Sequence, residues 1–130
     1  MYIKYNVQIE DFAEKHYIKN FRKKYKTYWD STFKGIKKML ESLDSIMNTT
    51  IVEEINCQDD LAILKMEFRV AGTNFSRKTS GNRCILSLNK KTREIKILLV
   101  YHKSDIGNKN ETATWKKIIR DNYVGYDFCK

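Results

Sequence analysis

The sequence of 130 residues has no proline, five glycines and only two histidines. Without proline, no helix-breaking ring marks an element boundary, so boundaries follow from periodicity. No run of about 18 apolar residues occurs, so no membrane-spanning helix and no membrane partner are expected. The first residues, Met1 to Asn6, lack the apolar core of a signal peptide. The three cysteines, Cys57, Cys84 and Cys129, are odd in number and form no CxxC or Cys/His pattern. A disulfide framework and a zinc site are therefore not expected. No P-loop, G-x-S-x-G or Rossmann fingerprint is present, and no metal or cofactor is expected. The expected location is a reducing cytoplasm.

What the chain does have is positive charge. It carries 25 Lys and Arg against 16 Asp and Glu, a net charge of +9. Residues 71–103 hold eight basic side chains and one acidic one, whereas residues 49–70 are net negative. A localised excess of that sign suits a polyanionic partner better than a uniformly solvated surface does. At 42% hydrophobic and 12% aromatic, the whole chain, 1–130, reads as one globular domain.

Residues 2–9 alternate, with Ile3, Tyr5, Val7 and Ile9 on one face, and predict a strand. Asp11 is placed to cap a helix bearing Ile18, Phe21 and Tyr25. The cations Arg22 to Lys26 near its end suit the helix dipole. A second stripe, Trp29, Phe33, Ile36, Leu40, Leu43 and Met47, predicts a strong amphipathic helix. Neither glycine nor proline separates the two, so a hairpin and one bent helix both remain open. Strands are expected over 49–56, 60–70, 83–89 and 93–102, the last two paired around Asn89-Lys90-Lys91-Thr92. The loop 71–81 is polar. Ile95 to Tyr101 is apolar on both faces, as in a strand covered on both sides. Trp115, Ile118, Ile119 and Tyr123 predict a last helix over 111–123. The order implies an α+β fold, an antiparallel sheet with two N-terminal helices on one face and a C-terminal helix.

Ala62, Leu64, Met66, Phe68 and Val70 form the apolar side of their strand. Lys65, Glu67 and Arg69 share the other side. If this strand neighbours the next two, Lys65 and Arg69 approach Arg83 and the end Tyr101-His102-Lys103. Such a cationic surface holds a phosphodiester backbone. Alternation separates His102 from Lys103: His102 is the better placed by pattern, Lys103 by charge. Arg77 and Lys78 lie on the basic loop, within reach of phosphates. His16 sits amid charges on the first helix and reads as an ordinary surface residue.

The β-α-α opening followed by L-K-M-E-F-R (64–69), S-G-N-R-C-I-L (80–86) and I-K-I-L-L-V-Y-H-K (95–103) resembles the RelE/ParE superfamily of toxins. The resemblance spans about residues 2–123 and is nearest to the RelE-like mRNA endonucleases. It implies a RelE-like fold and a type II toxin that cleaves mRNA in the ribosomal A site, against ribosomal RNA, under a cognate antitoxin. It further implies metal-free attack of a 2′-OH on the adjacent phosphate. By position, Arg83 would stabilise the transition state, Lys65 would bind or activate substrate and Arg69 would support the phosphate. His102 would be the acid, since imidazole titrates near neutrality. Glu67 stands where the most studied member has a second lysine, and is a candidate base. Tyr101, Lys103, Arg77 and Lys78 would contact RNA. The ParE-like branch, which inhibits DNA gyrase without nuclease residues, is the alternative. A non-catalytic RNA- or ribosome-binding domain is a third.

Overall fold

Aromatic rings determine how the N-terminal helices fold back on one another. In a computed structural model that describes residues 4–106 and 110–126, the first helix, α1 (residues 11–25), stops at Lys26. Lys26 takes a positive φ of 53°, and the second helix, α2 (Thr27–Glu41), begins directly after it. The open choice is thus decided for two helices, with a lysine in the strained turn position that glycine usually occupies. Tertiary packing supplies the reason. Phe21 on α1 lies 5.1 Å from the ring of Trp29 on α2, and both meet Phe68 of the sheet at about 6 Å. Rings of this size at these separations contribute more than local backbone strain costs. Asp11 is the first helical residue rather than the cap, a position held by Glu10 without a side-chain bond. Glu14–Ile18 within α1 is a π-helical turn.

Five strands form one sheet: β1 (Asn6–Ile9), β2 (Val52–Gln58), β3 (Leu61–Phe68), β4 (Asn82–Asn89) and β5 (Glu94–His102). Their spatial order is β1-β5-β4-β3-β2. The run β2 to β5 is an antiparallel meander, as expected. β1 departs from a purely antiparallel sheet by pairing parallel to β5. The helices carry the chain from β1 at one edge to β2 at the other, which leaves β1 to close on the last strand. The expected strand over 2–9 is present from Asn6; residues 1–3 lie outside the described residues, as does Cys129.

The sheet is covered on both sides. One face, with Leu64, Met66, Phe68, Cys84 and Ile97, packs against α1 and α2 through Ile18, Trp29, Ile36 and Leu40. The other, with Ile63, Ile85, Leu98, Leu99 and Tyr101, packs against the third helix, α3 (Glu111–Asn122), through Trp115 and Ile119. Burial raises the Cys84 thiol to about 12, so it behaves as a small apolar side chain.

β5 contains one residue more than β4 can pair. Ile85 faces Leu99 while Leu86 faces Ile97, which leaves Leu98 as a bulge. Leu98 and Leu99 consequently both point toward α3. Beyond the bulge the alternation is inverted.

A polar tie joins the turn after α2 to the sheet edge. Asp44 accepts from the Tyr5 hydroxyl and pairs with Arg93 Nη2 at 3.0 Å, and Arg93 lies over the Tyr5 ring. The Tyr5 hydrogen bond, followed by Arg93, holds the Asp44 carboxyl below its ordinary 3.8. A depressed carboxylate stabilises the fold above its unfolded value and ceases to do so as the pH falls through the folded one. Asp44→Asn should therefore cost about 1 kcal/mol at neutral pH, the range of a half-exposed ion pair. In urea melts across pH, wild type and variant should converge below 3.8. Trp29→Ala should cost about 4 kcal/mol in the same assay, as expected for a large ring removed from a core.

Candidate active site

Cross-strand register lines up Glu67, Arg83 and Tyr101 on three neighbouring strands, β3, β4 and β5. Lys65, two residues before Glu67, shares their side of the sheet. Glu111, the first residue of α3, comes down onto this row. Its Oε2 accepts from the Tyr101 hydroxyl at 2.7 Å. The same oxygen lies 3.6 Å from Lys65 Nζ and 3.9 Å from Arg83 Nε. Glu67 Oε2 lies 3.8 Å from Arg83 Nη1. These are ion-pair separations beyond hydrogen-bond reach.

Arg83 is only 8% exposed. Its one described hydrogen bond runs from Nη1 to the Asn82 carbonyl at 3.1 Å. Among the described residues, Arg83 Nε and Glu67 Oε2 are both buried without a hydrogen-bond partner. A guanidinium and a carboxylate so placed retain donor and acceptor capacity for another group. Tyr101 is buried outright; desolvation, then its bond to Glu111, pushes its phenol far above the usual range. It therefore acts here as a fixed donor that orients Glu111. An open cleft of about 520 Å3 adjoins the group, lined by Lys65, Glu111 and Lys116 among others.

The start of β4, which carries Arg83, is fixed by the loop before it. The Ser80 hydroxyl donates to the Phe68 carbonyl at 2.6 Å and accepts from the Asn82 N–H at 3.1 Å. It thereby fastens the end of β3 to the beginning of β4. The Thr32 hydroxyl on α2 accepts from the Ala71 N–H at 2.8 Å.

The expected site residues divide into three groups. Lys65, Glu67, Arg83 and Tyr101 are brought together. Arg69 lies exposed past the end of β3 and shares a groove of about 540 Å3 with Arg77 and α2; Glu67 also borders that groove. Arg77 donates to Thr50 at 3.0 Å, and Lys78 is exposed on the loop. Lys103 is exposed at the end of β5, its N–H bonded to the Gly81 carbonyl. His102 is not brought to Arg83. It pairs with Asn82, one register position away, and faces α1. The physical reason is the Leu98 bulge: unbroken alternation along β5 would have turned His102 to the Arg83 side of the sheet, and the extra residue turns Tyr101 there instead. Glu111 was not foreseen. An acid opening a helix reads as a dipole partner, and only tertiary packing shows that it meets Lys65 and Arg83.

No protein-family model and no curated protein matches the chain. Among solved structures, it is similar to the archaeal RelE–RelB complex from Pyrococcus horikoshii OT3. The superposition has a TM-score of 0.53 at 21% identity, and covers 77% of this chain and 96% of that one. The fold is therefore RelE-like, as the resemblance implied.

Removing Glu111 would leave Lys65 and Arg83 with one fewer counter-charge and Tyr101 without its acceptor. Glu111→Ala should lower stability by about 2 kcal/mol, less than a fully buried pair would lose. A double-mutant cycle with Tyr101→Phe, read by urea unfolding, should show a coupling of about 1 kcal/mol.

Proposed function

We propose that this chain is a RelE-type toxin that cleaves mRNA in the ribosomal A site and is held inactive by a cognate antitoxin. The observation that carries the reading is the buried, incompletely bonded Arg83 beside a Glu67 oxygen that has no hydrogen bond. The RelE-like fold and the adjoining cleft support it. So does the similar archaeal structure, which is a complex of RelE with RelB.

In this reading a scissile phosphate sits over Lys65 and Arg83. Glu67 takes the proton of the neighbouring 2′-OH, and the 2′-oxygen bonds to phosphorus. The added negative charge falls on oxygens facing Arg83, whose fixed position needs no reorganisation. The P–O5′ bond breaks, and the 5′-oxygen takes its proton from the Lys65 ammonium. The products are a 2′,3′-cyclic phosphate and a 5′-hydroxyl. Arginine and lysine supply the positive charge this route needs, so it requires no metal. Arg69, Arg77, Lys78 and Lys103 lie outside the reacting group and would serve RNA or ribosome contact.

One observation favours a second reading. Glu67 and Glu111 both stand within 4 Å of Arg83, so the guanidinium is already compensated within the fold. On that account the row fastens α3 to the sheet, and the protein acts by binding, as ParE-like gyrase inhibitors do.

Expression should arrest growth and produce new mRNA 5′ ends only where ribosomes are present. Arg83→Ala and Glu67→Gln should each lower cleavage about 100-fold, the usual effect of losing one charge-stabilising or proton-transferring group. Circular dichroism would confirm that the variants fold. Undiminished cleavage by folded Arg83→Ala would overturn the assignment. Growth arrest with intact mRNA and a DNA-damage response would establish the second reading.

A further inference from the structure

The two histidines of this chain, His16 and His102, are distant in sequence, yet both line one cleft. It measures about 490 Å3 and lies between α1 and the ends of β4 and β5, across the sheet from Arg83.

Three independent features mark it as a built site. The π-helical turn Glu14–Ile18 carries His16 and Tyr17 into the lining. Such turns are rare and recur where a helix must re-aim side chains for function. Asn82, only 4% exposed, also lines the cleft, and its Oδ1 has no hydrogen-bond partner among the described residues. A buried amide oxygen without a partner is an acceptor awaiting a donor. Gly81 has a φ of +80°, and a Cβ there would stand 2.6 Å from His102 Nε2. Glycine at 81 is what lets the imidazole lie against the backbone. The ring is oriented by Ser104, whose N–H donates to Nδ1 at 3.1 Å. Acceptance at Nδ1 puts the proton of the neutral ring on Nε2.

The lining chemistry selects a ligand. Tyr17 and Tyr25 line the cleft over the buried ring of Phe21, and Lys24 lies 5.3 Å from the Tyr25 centroid. Asn20 and Asn82 offer amides to the edge of a base, and the Asp105 carboxylate offers an acceptor for an exocyclic amino group. Lys24 and the two imidazoles can donate to a phosphate. Rings, amides and a cation within one cleft are the complement of a base joined to a phosphate.

We propose that this cleft binds one nucleotide unit, its base against the tyrosine rings and its phosphate toward Lys24 and the histidines. The unit is either a free mononucleotide or one residue of an RNA strand. Asn82 and His102 are sequence neighbours of Arg83 and Tyr101, so a strand crossing this end of the sheet would meet both faces. The cleft does not depend on the cleavage reading, because it uses none of Lys65, Glu67 and Arg83, and Asn82 and His102 lie on the opposite face of the sheet.

Imidazole C–H signals in NMR report the site directly, since only two histidines contribute. Titration with the four 5′-mononucleotides and with a short oligoribonucleotide should shift both rings saturably. A response to the oligoribonucleotide alone identifies a strand residue; a response to mononucleotides identifies a free-standing site. Lys24→Ala, on an exposed helical surface, should weaken binding about tenfold. The same shifts in Arg83→Ala would keep this site while cleavage is lost. Rings unmoved by every nucleotide probe, or moved equally by inorganic phosphate, would overturn the proposal.

Discussion

The single unpaired residue in β5, Leu98, decides which side chains of this protein meet. Before it, Ile95 and Ile97 face the N-terminal helices; after it, Tyr101 faces α3 and His102 faces α1. Were the ladder regular, Tyr101 would lie under α1 and could not donate to Glu111. The place of Tyr101 in the ionic row and that of His102 in the cleft both follow from that inversion, whereas Lys65, Glu67 and Arg83 are aligned by the β3–β4 register. A β-bulge is a common way to re-aim side chains, here from the middle of β5.

Around the row, opposite charges are held near one another without closing into hydrogen bonds. A buried arginine needs compensation, and Glu67 with Glu111 provides it at 3.8–3.9 Å. That spacing leaves Arg83 Nε unbonded. A tighter bidentate pair would stabilise the fold more and leave less for a phosphate. The excess of positive charge in residues 71–103 is largely elsewhere, on the loop and strand ends. It suits encounter with a polyanion, whereas the proposed chemistry depends on three or four placed groups.

Much of the fold was legible in the sequence because its signals are local. The stripe from Trp29 and the alternation from Ala62 to Val70 each follow from one period; Trp29, Ile36 and Leu40 are buried as expected and Phe33 partly so, but α2 ends at Glu41, short of Leu43 and Met47. The adjacency of β4 and β5 followed from the short turn between them, whereas that of β3 and β4, across residues 69–81, entered only as a condition. The parallel pairing of β1 with β5 was not legible, since it joins residues about ninety positions apart after a crossover. In the site, Lys65, Glu67 and Arg83 were within reach of pattern reasoning, while Tyr101 was named only through the resemblance, as an RNA contact. His102 was misplaced relative to Arg83 because a bulge leaves no mark in an apolar run such as Ile95 to Val100. Glu111 was missed because nothing in its neighbourhood separates a helix-opening acid from a partner of Arg83.

The chemistry of the cleaved ends tests the account most directly. Ribosome-bound mRNA treated with purified protein should carry a 2′,3′-cyclic phosphate on the upstream fragment and a 5′-hydroxyl on the downstream one, since the neighbouring 2′-oxygen is the nucleophile. Fragments with 5′-phosphate ends, or no fragments from folded protein, would contradict it.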